Sequence, residues 1–154
     1  MTVSVIPPSQ AALFYLDSNI LVRAATSPRG PALRLLDIIL GAHTLVLSRF
    51  ILEEVERVLL YPRIQARYRI TTAEAARFAE NLADAADLVE PVIDRAVILS
   101  DPADDPVLCT AVDGRADILC TQNIRHFATA EVRSFCAERG IRVMTDLEAL
   151  RHLL

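Results

Sequence analysis

Asp17 ends an apolar run, Leu13-Phe14-Tyr15-Leu16, and opens a helix-like segment, Ser18-Asn19-Ile20-Leu21-Val22. The run has the length and content of a buried strand, so the acid stands where a strand hands over to a helix. In an open α/β sheet, ligands bind in the crevice beyond the carboxyl ends of the strands. An acid there can face solvent, a metal ion or a phosphate. It can equally cap the helix, a role open to Asp17 or Ser18. Two further groups of acids follow apolar strand-like runs: Glu53, Glu54 and Glu56 after Thr44-Leu45-Val46-Leu47, and Asp101, Asp104 and Asp105 after Val97-Ile98-Leu99.

At about 100° per residue, Ile51, Leu52, Val55, Val58 and Leu59 share one face of a helix that begins after Ser48. Glu53 then points nearly opposite, into solvent. Glu54 and Glu56 lie on the two flanks, and periodicity does not choose between them. Asp101-Pro102-Ala103-Asp104-Asp105-Pro106 reads either as a proline turn with acids at a helix N-terminus or as part of a carboxylate pocket. Carboxylates converging on one pocket repel unless a cation joins them. Mg²⁺ or Mn²⁺ suits such oxygen donors, and at a phosphate it can polarise the phosphoryl oxygen, activate water and steady the leaving oxygen.

Those positions require strands and helices in alternation. Residues 1–11 read as a flexible tail and 12–154 as one domain; a 154-residue chain that is 53% hydrophobic can bury a sizeable core. Strands are expected at 13–16, 44–47, 97–99, 118–121 and 141–144. Helices are expected at 19–25, at 31–40 with Gly41 closing it, and at 49–60 ahead of Pro62. Others follow at 72–86, from 106 to about 112, at 130–138, and after Thr145. Thr71-x-x-Glu74 and Thr145-x-x-Glu148 are capping-box patterns, and Asp84 and Asp87 read as the wet side of the helix expected at 72–86. The alternation implies an α/β/α sandwich around a central parallel sheet.

Composition narrows the partners. All sixteen basic residues are arginine, and the net charge of −4 argues against a dominant nonspecific grip on nucleic acid while leaving room for a local basic rim such as Arg57, Arg63, Arg67 and Arg69. Cys109, Cys120 and Cys136 form no C-x-x-C pair and suit buried thiols in a reducing cytoplasm. His43, His126 and His152 have no zinc spacing. No apolar segment approaches a membrane span, and the N-terminus lacks a basic region ahead of its short apolar stretch, so a soluble, unprocessed, cytoplasmic protein is expected.

Phe14-Tyr15-Leu16-Asp17-Ser18-Asn19-Ile20-Leu21-Val22, Ser48-x5-Glu54-x2-Arg57-Val58-Leu59, Asp101-Pro102-Ala103-Asp104-Asp105-Pro106-Val107-Leu108-x2-Ala111 and Leu119-Cys120-Thr121-Gln122-Asn123 together resemble a PIN domain, over residues 13 to 147. The likeness is nearest to bacterial toxin components related to VapC-type ribonuclease toxins. It implies a Mg²⁺- or Mn²⁺-dependent ribonuclease, with Asp17 and Asp104 holding the metal and Glu54 holding or orienting its water. Thr121 would tie the pocket down by hydrogen bonding, Ser18 would support it, and Asp101 and Asp105 would be supporting or capping residues. Arg49 and Arg57 are candidate phosphate clamps for in-line attack by water that leaves a 3′-hydroxyl on the upstream fragment.

The sequence departs from the family pattern after Thr121. Many PIN domains place a fourth acid where this chain has Asn123 or, three residues on, His126. Asn123 can ligate or hold water through its amide oxygen, whereas His126 suits Mn²⁺ better than Mg²⁺ or has no ligand role. The alternative function is therefore a degenerate PIN domain that binds RNA or protein without turnover. Other phosphate chemistries fit poorly: a dehalogenase-type phosphotransferase wants an acid at Asn19, a phospho-receiver needs a lysine, and a dinucleotide site needs a glycine-rich turn. The resemblance also implies a small antitoxin partner and a homodimer, for which helices 32–40 or 72–86 offer apolar stripes.

Overall fold

A computed structural model of the chain describes residues 11–90 and 105–154. β1 (Leu13–Leu16), β2 (Thr44–Leu47), β3 (Asp87–Leu88), β4 (Ile118–Cys120) and β5 (Arg142–Met144) form a five-stranded sheet in the order β3-β2-β1-β4-β5. All the pairings are parallel; Phe14 stands beside Leu45 on one side and Ile118 on the other. A parallel sheet needs cover on both faces, and β1 and β4 accordingly read as near-continuous apolar runs.

The helices supply that cover. α1 (Ser18–Thr26), α2 (Pro31–Ala42), α3 (Arg49–Leu59), α4 (Pro62–Tyr68) and α5 (Thr72–Ala85) precede β3; α6 (Asp105–Asp113), α7 (Ile124–Phe127), α8 (Ala130–Glu138) and α9 (Asp146–Leu153) follow it. α1 packs on α2 and α3, α3 on α5, and α2 on α9, making one layer. Right-handed crossovers place α6, α7 and α8 on the opposite face. This is the expected three-layer α/β/α architecture. Its core holds fully buried Phe14, Tyr15, Ile20, Leu35, Ile39 and Ile51. The apolar stripes of α2 and α5 are largely spent here: Leu35, Leu36 and Ile39 are buried, as are Ala75, Ala79 and Leu82. No helix among the described residues is long and apolar enough to cross a membrane.

Local chemistry sets most element boundaries. Ser48 caps α3 by accepting from the Ile51 amide, and both capping boxes form, with Glu74 and Glu148 bonding back to Thr71 and Thr145. Several details differ from the sequence reading, among them the unexpected short α7. Gly41 does not close α2, which runs to Ala42; the chain turns at His43, whose Nδ1 accepts from the Ala12 amide at 3.0 Å. α4 starts at Pro62, in the first turn where its missing N–H costs nothing. Asp87 belongs to β3 beside Val46, because α5 stops at Ala85. The expected tail at 1–11 and strand at 97–99 lie outside the described residues, apart from Ala11.

Gly114 allows α6 to meet β2 closely: an added Cβ would stand 2.3 Å from Val46 Cγ1 and 3.0 Å from the Thr110 carbonyl. Gly114→Ala is expected to destabilise the fold by about 1–3 kcal/mol in urea titration, with displacement of β2. The His43 bond gives a pH-dependent counterpart. Burial lowers the imidazole pKa below its ordinary value of about 6.5, and a neutral ring is needed for Nδ1 to accept. Stability from this bond is therefore present above the unfolded pKa and lost as pH falls toward the folded one, a change of about 1 kcal/mol. Urea midpoints between pH 7.5 and 5.5 should fall in the wild type by more than in His43→Asn.

Candidate functional site

The strand order reverses between β1 and β4, and Asp17 and Thr121 are the first residues beyond those neighbouring strands. The Asp17 amide still donates to the Cys120 carbonyl at 2.9 Å, so the side chain leaves the sheet at its carboxyl edge, only 5% exposed. Its Oδ1 accepts from the Ser18 amide at 2.8 Å, and its Oδ2 from Thr121 Oγ1 at 2.9 Å and Asn19 Nδ2 at 3.2 Å. Asp17 is thus the N-cap of α1 as well as a crevice acid; one carboxylate serves both purposes. The same donors pin the loop after β4, because Asn19 Oδ1 accepts from the Gln122 amide and Thr121 Oγ1 accepts from the Asn123 amide, each at 3.0 Å.

α3 brings Glu54 to this crevice. Ser18 Oγ donates a short hydrogen bond to Glu54 Oε2, and Arg57 Nη2 lies 3.4 Å from Glu54 Oε1. Asp17 and Glu54 line a single cavity of about 520 Å³ with Ser18, Asn19, Gln122 and Asn123; Val22, Phe50, Val58 and Val107 give it apolar walls, and Arg23 adds a cation. Phe50, Glu54 and Val58 recur every four residues, which aligns them on one side of α3. Glu53 is exposed and Glu56 half-buried, and neither is among the lining residues.

The remaining sequence candidates are distributed as follows. Thr121 is buried behind Asp17, and Asn123 is exposed at the mouth. Asp101 and Asp104 lie outside the described residues; Asp105 opens α6, the helix that contributes Val107. His126 falls within α7. Arg49 ion-pairs with Glu90 at 3.2 Å and is not among the lining residues, while Arg57 is engaged by Glu54. Sequence reasoning overlooked Arg23, Gln122 and Asp146. Asp146 carried a usable signal: it lies just past β5, two residues on, at the edge of the sheet where Asp17 follows β1.

The donor set is oxygen-rich. Cys109, Cys120 and Cys136 are buried free thiols, and burial, followed by the charges of Asp146 and Glu148, pushes the Cys120 thiol far up. Thiolate ligation of a soft metal is therefore disfavoured, whereas carboxylates and amide oxygens fit a hard divalent ion. Among the described residues, no group of three or more His, Cys, Asp or Glu side chains is placed to hold a metal. Asp17 and Glu54 fit as part of a ligand set, to which further groups would have to be added.

A parallel α/β/α sandwich with strand-end and helical carboxylates sharing a crevice at its switch point defines a class of α/β protein whose ligands bind beyond the carboxyl ends of the strands. Within that class, residues 14–125 match the PIN domain family, and the chain belongs to it. Among solved structures, the crystal structure of VapBC2 from Rickettsia felis bound to a DNA fragment from their promoter is similar over 85% of this chain and 98% of that chain, with a TM-score of 0.55 and 12% identity. At that identity the likeness is one of fold. No curated protein sequence gives a significant match.

Thr121→Val tests how Asp17 is held. Removing the 2.9 Å donor to a buried carboxylate is expected to cost about 1–3 kcal/mol of stability in urea titration. Ser18→Ala, which leaves the Ser18 amide on Asp17, should cost about 1 kcal/mol or less.

Proposed function

We propose that the chain is a divalent-metal-dependent ribonuclease that hydrolyses RNA phosphodiester bonds and acts as the toxin of a toxin–antitoxin pair. The observation that carries this reading is the meeting of Asp17 and Glu54, from β1 and α3, in one crevice at the switch point. Membership of the PIN domain family supports it, and the likeness to a VapBC complex supports an antitoxin partner.

Asp17, Glu54 and Asp104 would hold Mg²⁺ or Mn²⁺, with Asn123 available as a neutral oxygen donor. When bound, the ion supplies Lewis-acid polarisation of the phosphate and lowers the pKa of water. The chain's own residues prepare that chemistry. Thr121 and Asn19 fix the Asp17 carboxylate by hydrogen bonds at 2.9 and 3.2 Å. Ser18 and Arg57 hold the two Glu54 oxygens, so Glu54 can orient an attacking water in line with the leaving 3′-oxygen. Phe50, 37% exposed in the cavity wall, offers a ring on which an unpaired base can stack.

The test is cleavage of single-stranded RNA with Mn²⁺ or Mg²⁺. EDTA should abolish it, and Asp17→Asn should lower kcat by about 10²-fold or more, the scale on which losing one electrostatic group at a reacting centre is felt. Unchanged cleavage in Asp17→Asn would refute the assignment. A wild type with neither cleavage nor a Mn²⁺ site dependent on Asp17 by calorimetry would favour the non-catalytic PIN module instead.

A further inference from the structure

A second buried acid lies at the same edge of the sheet. Asp146, two residues beyond β5, is 2% exposed. Its Oδ1 accepts from Gln122 Nε2 at 2.7 Å and from the Leu147 amide at 2.8 Å; its Oδ2 faces Arg23 Nε at 3.3 Å. Leaving such a carboxylate unpaired would be expensive, and Arg23 is the cation that answers it. Stapling α9 to α1 is a sufficient structural reason for the pair, but it does not explain where the guanidinium sits.

Arg23 lines the cavity of Asp17 and Glu54 and is the one cation among its described lining residues. It follows Asn19 by four positions, so both occupy the same side of α1, and Asn19 is bonded to Asp17. Gln122 closes the circuit, its amide on Asn19 and its side chain on Asp146. Only half of the Arg23 side chain is covered; its Nε stands 3.3 Å from Asp146 Oδ2 as an ion pair, and Oδ2 has no hydrogen-bond partner among the described residues. A half-exposed guanidinium that lines the cavity and is ion-paired through Nε to a buried carboxylate has donors to offer a phosphate oxygen. The need is electrostatic: the cavity carries two carboxylates and the chain a net charge of −4, so a phosphodiester strand is repelled unless a cation meets it locally.

We propose that Arg23, positioned by the buried Asp146 carboxylate, is the phosphate anchor that seats the RNA strand beside the Asp17–Glu54 crevice. This rests on the ribonuclease reading and adds to it a residue for substrate binding and a second for positioning it.

The experiment is steady-state cleavage of an unstructured RNA oligonucleotide at several salt concentrations, with Mn²⁺ titration and thermal melting as controls. Arg23→Gln should raise KM about tenfold with kcat within about threefold, as expected for loss of one charged hydrogen bond in binding. It should also flatten the plot of log(1/KM) against log salt by about 0.7, the contribution of one contact to a single strand. Arg23→Lys should restore the salt slope but not the full affinity. Asp146→Asn should raise KM while keeping the slope. Arg139→Gln, at the amino end of β5 and so across the sheet from the crevice, removes the same charge and should change neither quantity. An Arg23→Gln enzyme with wild-type KM and slope overturns this inference and leaves the ribonuclease intact. A wild type that cleaves no RNA overturns the ribonuclease and this inference together.

Discussion

A carboxylate buried at the end of a strand is tolerable only if donors are brought to it. Asp17 has three described ones: the Ser18 amide, Asn19 Nδ2 and Thr121 Oγ1. Two come from the helix that the chain enters next, but the third comes from a segment 104 residues away. That third donor requires β4 to lie beside β1, in the register that pairs Leu16 with Cys120. The position of β4 between β1 and β5 is therefore coupled to the site: in any order that separates β1 from β4, Asp17 loses Thr121, and the loop after β4 loses the bonds to Asn19 that shape it. The switch point is where the sheet leaves room for a ligand, and also where the sheet's topology is fastened.

Placing Glu54 in the same crevice adds repulsion to the burial cost. Ser18 and Arg57 reduce it from the Glu54 side, and Thr121 and Asn19 from the Asp17 side. Tyr15 registers what remains. Its phenol, fully buried beneath the crevice, is pushed well above its usual pKa first by burial and then by the Asp17 charge, with Thr110 lowering it and Glu54 raising it again. Both acids thus act on one floor of low polarisability. The donors that fix the carboxylates also keep them from moving apart, so under the proposed function a divalent cation would relieve the repulsion that rearrangement does not.

The parts of this design that depend on neighbours in the chain were legible in the sequence. Strands 13–16 and 44–47, the Ser48 cap and both capping boxes follow from residue type and spacing within a few positions. Gly41 misled because glycine is a common helix stop. Here the stop is set by the hydrogen bond of His43 to Ala12 and by the pairing of Thr44 with Leu13. The helix runs through a glycine at a cost of about 1 kcal/mol. α4 has no buried residue, hence no apolar stripe to read, and β3 is two exposed residues paired only because β2 offers an edge. The Asp17 side of the site was visible from its strand-end position. The pairing of Arg23 with Asp146 was not, since it joins residues 123 positions apart and neither belongs to a local pattern with the other.

The absence of lysine acquires a physical meaning at that pair, whatever the genomic reason for it. A lysine ammonium at position 23 would be a single point of charge. Held by Asp146, it would spend its charge and its best donor direction on the protein, and released to a phosphate it would leave a 2%-exposed carboxylate unpaired. A guanidinium divides the task, because its donors lie on different edges of a rigid plane. Nε stands 3.3 Å from the buried acid as an ion pair without a hydrogen bond, so under the proposed role the Nη donors could take a phosphate without breaking that contact. Arg57 contacts Glu54 through Nη2 instead, so a phosphate it met would share that group or use the remaining donors. Two arginines on neighbouring helices, α1 and α3, thus differ in which edge of the fork faces a carboxylate.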